Sequence, residues 1–297
     1  MAIRTIFSMA EDCARGERLG WLEFVRDFAG IARALLAHYF PTLAPDLNEH
    51  MVAVFRRAGA HGGAWFAGLR FSNEREFMMA FRDLVFAYGR EQERMPAPEI
   101  ALEQVRAIMQ DLTLLERQML WLIIKGYDGP RIAAIMMNAA ATAEAVQRIA
   151  DERLAPQPAN TGPPPQRSKT GFVGDPGRAG DSAPAALVPG APQEALAISA
   201  RVLMELAEQS KTEPCASLKT FNNLVNGQIS WRERELAEEH VNNCFYCIDR
   251  FTTFQEMVRL RKDVSGLAAP QVEAILAQLP FTAAKPRGVL FRLFAGH

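Results

Sequence analysis

Three of the chain's four cysteines and one of its five histidines fall within one stretch, CASLKTFNNLVNGQISWRERELAEEHVNNCFYC, as Cys215, His240, Cys244 and Cys247. Thiolates and an imidazole are donors that zinc accepts, and a structural zinc site is closed by four such ligands in a tetrahedron. Cys244 and Cys247 bracket two residues, a spacing that lets two thiolates clasp one ion. His240 precedes Cys244 by four residues, which on a helix is one turn along the same face. Cys215 stands 25 residues before His240, room for one helix, a turn at Asn226-Gly227 and an antiparallel return. The expectation is a closed Zn2+ site made by Cys215, His240, Cys244 and Cys247. Thiolates oxidise where zinc does not, so such a set can also serve as a redox switch. The plainer alternative is a group of buried thiols beside a surface histidine, because cysteine packs as a small hydrophobe. Cys13 stands apart as an ordinary thiol.

Helices must position these ligands. Ser230 and Glu233 have capping-box spacing, so a helix is expected to start near Trp231 and to carry both His240 and Cys244. The preceding ASLKTFNNLV reads as its antiparallel partner, and helical pattern continues to about Lys262. Upstream, Leu19, Trp21, Leu22, Val25, Phe28, Ile31, Ala32, Leu35 and Tyr39 recur at spacings of three and four, which predicts one buried helix face ended by Pro41. DLNEHMVAVFRRA and NEREFMMAFRDLVFAYGR predict two more helices, separated by a GAHGG loop, with Asn73 and Glu76 opening the second. EQERMPAPE reads as a short linker. From there to Leu154 the pattern predicts three or four short helices, with turns at Gly126, at Gly129 and around Asn138.

Residues 155–192 change character to Pro, Gly and Ala with few large apolar groups, the composition of a disordered tether. A flexible segment of that length has a root-mean-square span of about 35 Å. Helical signal returns at QEALAISARVLMELAEQS and at PQVEAILAQL, ahead of a basic and apolar tail, KPRGVLFRLFAGH. With no strand-like alternation, the fold class expected is all-α. Its units are 1–95, 99–154, a 155–192 linker and 193–297.

The chain has 297 residues, 49% apolar, with 33 basic against 34 acidic side chains. Nearly balanced charge excludes a strong global field towards nucleic acid or anionic lipid. No apolar run is long enough for a membrane span, and the N-terminus lacks a signal-peptide core, so a cytoplasmic location without membrane attachment is expected. A metal set closed by four protein ligands leaves no position for substrate. No phosphate loop, nucleophile elbow or diagnostic carboxylate pair is present either, and the expectation is a protein that is not an enzyme.

The His-x3-Cys-x2-Cys run with a further cysteine 25 residues upstream resembles the zinc-binding anti-sigma factors. NLVNGQISWRERELAEEHVNNCFYC also looks like that family's sequence, over roughly Pro214 to Lys262. The resemblance implies a small helical domain that binds a sigma factor and masks its polymerase-binding surfaces. Leu112 to Leu154 resembles the promoter-binding fourth region of extracytoplasmic-function sigma factors, with IAAIM as scaffold helix and Thr142 opening a recognition helix. Residues 17–94 resemble the second region of the same family. These likenesses imply core RNA polymerase and promoter DNA as partners, and a sigma/anti-sigma contact within or between chains.

The candidate DNA contacts are Arg56, Arg57, Thr142, Gln147, Arg148 and Arg153. A recognition helix needs amides and cations for base edges and phosphates. Glu144, Asp151 and Glu152 oppose them here, and the 99–154 segment is net acidic. Phe77, Phe81 and Tyr88 are expected in the core rather than on single-stranded DNA. Two readings follow: a transcription regulator whose sigma-like module is restrained by a zinc-binding module, released by oxidation or a partner, and an interaction adaptor whose sigma-like half no longer binds DNA.

Overall fold

The computed structural model describes residues 5–93, 102–154, 202–211 and 215–279, and among them every regular element is helical. Of EQERMPAPE, expected as a linker, Glu91 and Gln92 are instead helical and Glu93 is described; its remainder, the expected tether 155–192 and the KPRGVLFRLFAGH tail lie outside the described residues. Ahead of the first expected helix stands α1 (Ile6–Ala14), where Thr5 and Ser8 cap each other reciprocally. α2 (Arg18–Tyr39) follows and buries Trp21, Phe24, Val25, Phe28, Ile31, Leu35 and Tyr39. Leu19, expected on that face, is instead exposed. At about 100° per residue it falls opposite Phe28 and Leu35. Gly20 lets α1 and α2 approach, since a Cβ there would lie 2.5 Å from that of Asp12.

A 3-10 turn (Pro41–Asp46) leads to α3 (Leu47–Gly68), which the expected GAHGG loop interrupts: Ala60 is extended and His61, Gly62 and Gly63 are left-handed. α4 (Glu74–Gln92) is capped at Asn73, whose side chain accepts the Glu76 N–H at 3.0 Å. The Glu76 carboxylate accepts from the Ser72 N–H at 2.7 Å and from the Asn73 side-chain amide at 3.2 Å rather than from the Asn73 backbone N–H, so the box closes one residue early. These helices share an aromatic core. Phe24 lies 5.0–5.4 Å from Phe28, Phe55, Phe66 and Phe81, centroid to centroid. Phe77 and Phe81 are fully buried and Tyr88 nearly so, as expected.

The second group comprises α5 (Leu102–Met109), α6 (Leu114–Ile124), α7 (Gly129–Met136) and α8 (Ala143–Leu154). Thr113 and Glu116 form the capping box of α6. Gly126 makes the expected turn with φ 86°, and Met137 ends α7 in a left-handed conformation. Gly129 differs from expectation: it is the first residue of α7, because the Asp128 carboxylate caps the Arg131 N–H and Pro130 suits the first turn.

The third group comprises α9 (202–209), α10 (Leu218–Asn226), α11 (Trp231–Asn243), α12 (Phe245–Asp263) and α13 (Ala269–Leu276). Gly227 closes α10 at φ 67°, a left-handed cap that glycine adopts without strain. α12 is buried around most of its circumference, because it lies against α4 on one side and α6 and α7 on the other, with its Glu256 reaching Tyr39 of α2. α13 continues over α2, where the Leu267 N–H donates to the Arg26 carbonyl at 3.1 Å and Arg18 pairs with Glu273.

Candidate metal centre

The four expected ligands converge. One donor atom from each of Cys215, His240, Cys244 and Cys247 lies within 4.8 Å of every other. Ser217 caps α10 just after Cys215, so the first ligand enters at the start of the helical hairpin. α11 opens with the expected capping box of Ser230 and Glu233 and carries His240 in its last turn. One detail differs from expectation. Cys244 is not helical (φ −116°, ψ 112°); it is the corner between α11 and α12, and its N–H still donates to the His240 carbonyl at 3.0 Å. The corner turns Cys244 and Cys247 towards the same point while α12 departs in a new direction.

The distances suit a small tetrahedral ion. Sγ of Cys215 lies 3.9 Å from Sγ of Cys244, and Nε2 of His240 lies 3.2 Å from Sγ of Cys247. With metal–sulfur bonds of about 2.3 Å and metal–nitrogen bonds of about 2.0 Å, tetrahedral edges are about 3.5–3.8 Å. Burial, with the Cys244 and Cys215 sulfurs alongside, pushes the Cys247 thiol pKa well up although the Ala216 backbone hydrogen-bonds to it. Three thiolates so close repel one another, and a dication relieves that repulsion. The cluster is therefore a possible metal-binding site closed by protein ligands.

The six candidate DNA contacts do not form one surface patch of free side chains. Arg56 donates to the Gln278 carbonyl at 3.2 Å and to its side-chain oxygen at 3.1 Å, and Arg57 pairs with Glu91 at 2.5 Å. Thr142 accepts the Ala145 N–H and so caps α8. Gln147 donates to Asp151 at 2.8 Å, and Arg148 lies between Glu116 at 3.6 Å and Glu152 at 3.8 Å. Arg153 is half-buried on α8 and lies close enough to Glu116 to help lower its carboxyl pKa, chiefly set by Thr113.

A second constellation was not foreseen. Lys125, at the end of α6, is fully buried and pairs with Asp249 of α12 at 2.7 Å, while its Nζ also donates to Thr253 at 3.0 Å. The Trp121 indole donates to Asp249 at 3.0 Å. Burial alone would raise the Asp249 pKa, but Lys125, ahead of Arg82, holds it below the usual range. Two turns on, the buried Glu256 accepts from Tyr39 at 2.7 Å and from Tyr127 at 2.5 Å. His38 stacks on Tyr127, and its Nε2–H donates to the Lys125 carbonyl at 2.9 Å. Asp249, Thr253 and Glu256 thus form one polar face of α12, directed at residues from both other groups. The sequence signal was a single lysine terminating the apolar run LWLII, and carboxylates spaced by seven within an aromatic-rich helix.

Farther along α12, Arg131 pairs with Asp263 at 2.5 Å and Arg261 with Glu74 at 3.0 Å. No described helix is long and apolar enough to cross a membrane. Comparison with protein-family models, curated proteins and solved structures finds nothing that matches this chain.

Proposed function

We propose that the chain is a transcription regulator of the cytoplasm, in which residues 1–154 act as a sigma-factor-like module and the C-terminal helices restrain it in cis. Its partner is core RNA polymerase, with promoter DNA bound only in the released form. The observation that carries this reading is the position of α12. It lies between α2–α4 and α6–α7 and engages both through Glu256, Asp249 and Arg250, the last paired with Asp83 at 3.1 Å. A helix so placed fixes the two groups relative to each other and covers faces that a polymerase would need.

The restraining helices belong to the same chain as 1–154, so their contact is intramolecular and even a modest interface closes. The Cys215, His240, Cys244, Cys247 set suits Zn2+ by donor softness and tetrahedral edges. Such an ion would hold the start of α12 to α10 and α11, so thiol oxidation or a competing partner is a route to release. No catalytic step enters this reading.

One observation favours the adaptor reading. Gln147 and Arg148, the groups that would face DNA from α8, are held by neighbouring carboxylates, which weakens the case for promoter recognition.

The deciding experiment measures binding to purified core RNA polymerase by the full chain, by residues 1–154 and by the full chain carrying Cys244→Ser. The regulator reading expects the second and third to bind and the intact chain not to. Absence of binding by all three leaves the adaptor.

A further inference from the structure

The seam between the second and third helical groups contains an open cleft of about 400 Å3, within the size range of small-molecule sites, which favour such inter-unit positions. α6 and the end of α7 form one wall; α10, α11 and α12 form the other. Its walls are mainly apolar, with Met136, Met137, Leu224 and Phe251 prominent, and the thioethers adapt to varied shapes.

Three uncharged polar side chains interrupt this surface, and one of them, Asn138, is engaged by the Ala140 N–H. Gln118 from α6 is 5% exposed and Gln255 from α12 is 8% exposed; both line the cleft. Neither amide makes a hydrogen bond to any described residue, and the Gln255 oxygen is enclosed without a donor. Buried amides without partners are costly and uncommon in proteins. The enclosed Gln255 oxygen on one side of the seam, faced by the Gln118 amide that opens to the cleft from the other, defines a place where a ligand supplies the missing partners. The charged groups at the rim, Arg234 and Glu238, pair with each other at 2.7 Å, so the cleft presents no uncompensated charge to a ligand.

From this geometry we infer that the cleft binds an uncharged amphipathic molecule with a carboxamide- or lactam-like donor–acceptor edge, met by Gln118 and Gln255, and a short apolar body lying against Met136, Met137 and Phe251. Because its walls come from both groups, a bound molecule stabilises their closed arrangement by mass action. That consequence rests on the cis-restraint reading above; the binding does not.

The test uses the full chain with 13C-methyl methionine and three probes of matched length: hexanamide, its anionic counterpart hexanoate, and heptan-2-one, which can only accept a hydrogen bond. Hexanamide is expected to shift the Met136 and Met137 methyl signals saturably, leaving the other methionines unmoved. The other two probes are expected to bind at least about tenfold more weakly, the scale of one buried hydrogen bond. In Gln118→Leu/Gln255→Leu the preference for hexanamide over heptan-2-one, the one that reports on the glutamines, disappears, and if that variant fails to fold, the volume-conserving Gln118→Met must narrow that preference. Absence of a saturable shift at Met136 and Met137, equal binding of the three probes by the native chain, or a preference that survives loss of the glutamines overturns the inference. Polymerase plays no part in this assay, so its outcome is independent of the regulator reading.

Discussion

The α1–α4 group and the α10–α11 hairpin are both helical but are held by different forces. In the first, Phe24, Phe28, Phe55, Phe77 and Phe81 are all fully buried and interlock edge to face. In the second, α10 buries only Phe221 and α11 only Val241, while Trp231 and Leu236 lie exposed. At roughly 25 cal/mol per Å2 of apolar surface, two buried side chains give too little to order 22 helical residues against chain entropy. The Cys3His cluster stands where the shortfall is, at the corner of the hairpin. An aromatic core is permanent; a hairpin held by donor atoms can be released.

The largest expected effect comes from metal removal. Chelation should unfold α10 and α11 while α2–α4 remains folded, seen as partial loss of far-ultraviolet circular dichroism with an unchanged aromatic signal; retention of all helicity would break the comparison. Phe24→Ala tests the other side. It should cost about 3–5 kcal/mol in urea unfolding of the first group while leaving metal affinity unchanged.

The α12 seam combines both principles, an apolar helix with a buried polar face. Lys125→Met alone strands Asp249 and should cost about 3–5 kcal/mol, whereas Lys125→Met with Asp249→Leu should be nearly neutral in stability. A double-mutant cycle by urea melting measures the difference. A smaller effect comes from His38, whose pKa burial lowers despite the nearby Glu256 charge. The unfolded chain then takes up the proton first as pH falls, so this contribution is complete above about pH 6.5 and declines below it. His38→Gln should flatten that part of the stability profile. Arg148→Ala, an exposed side chain on α8, should change stability by no more than about 0.5 kcal/mol.

The metal centre was legible because its chemistry is local: three of four ligands lie within eight residues, and the capping box at Ser230 sets the helix that aims His240. The all-α class was legible from periodicity and from caps at Asn73 and Ser230. Leu19 was misplaced because spacings of three and four were summed without following the angle round the helix. Cys244 as a corner was not legible, since HVNNCFYC contains no glycine or proline to mark a break. The polar seam was hidden for a different reason. Lys125 and Asp249 are 124 residues apart, and each alone looks like a solvated charge until tertiary packing buries both.

The account's central claim is that the α6–α12 seam opens without unfolding α2–α4, and native-state hydrogen exchange tests it most directly. On the full, metal-loaded chain, amides of α6 and α12 should exchange through a partial opening that is smaller in free energy than the opening of α2 and α4. Asp249→Asn should accelerate α6 and α12 exchange while sparing α2. Exchange of all four helices through a single global unfolding event, equally sensitive to Asp249→Asn, would show one indivisible core and contradict the claim.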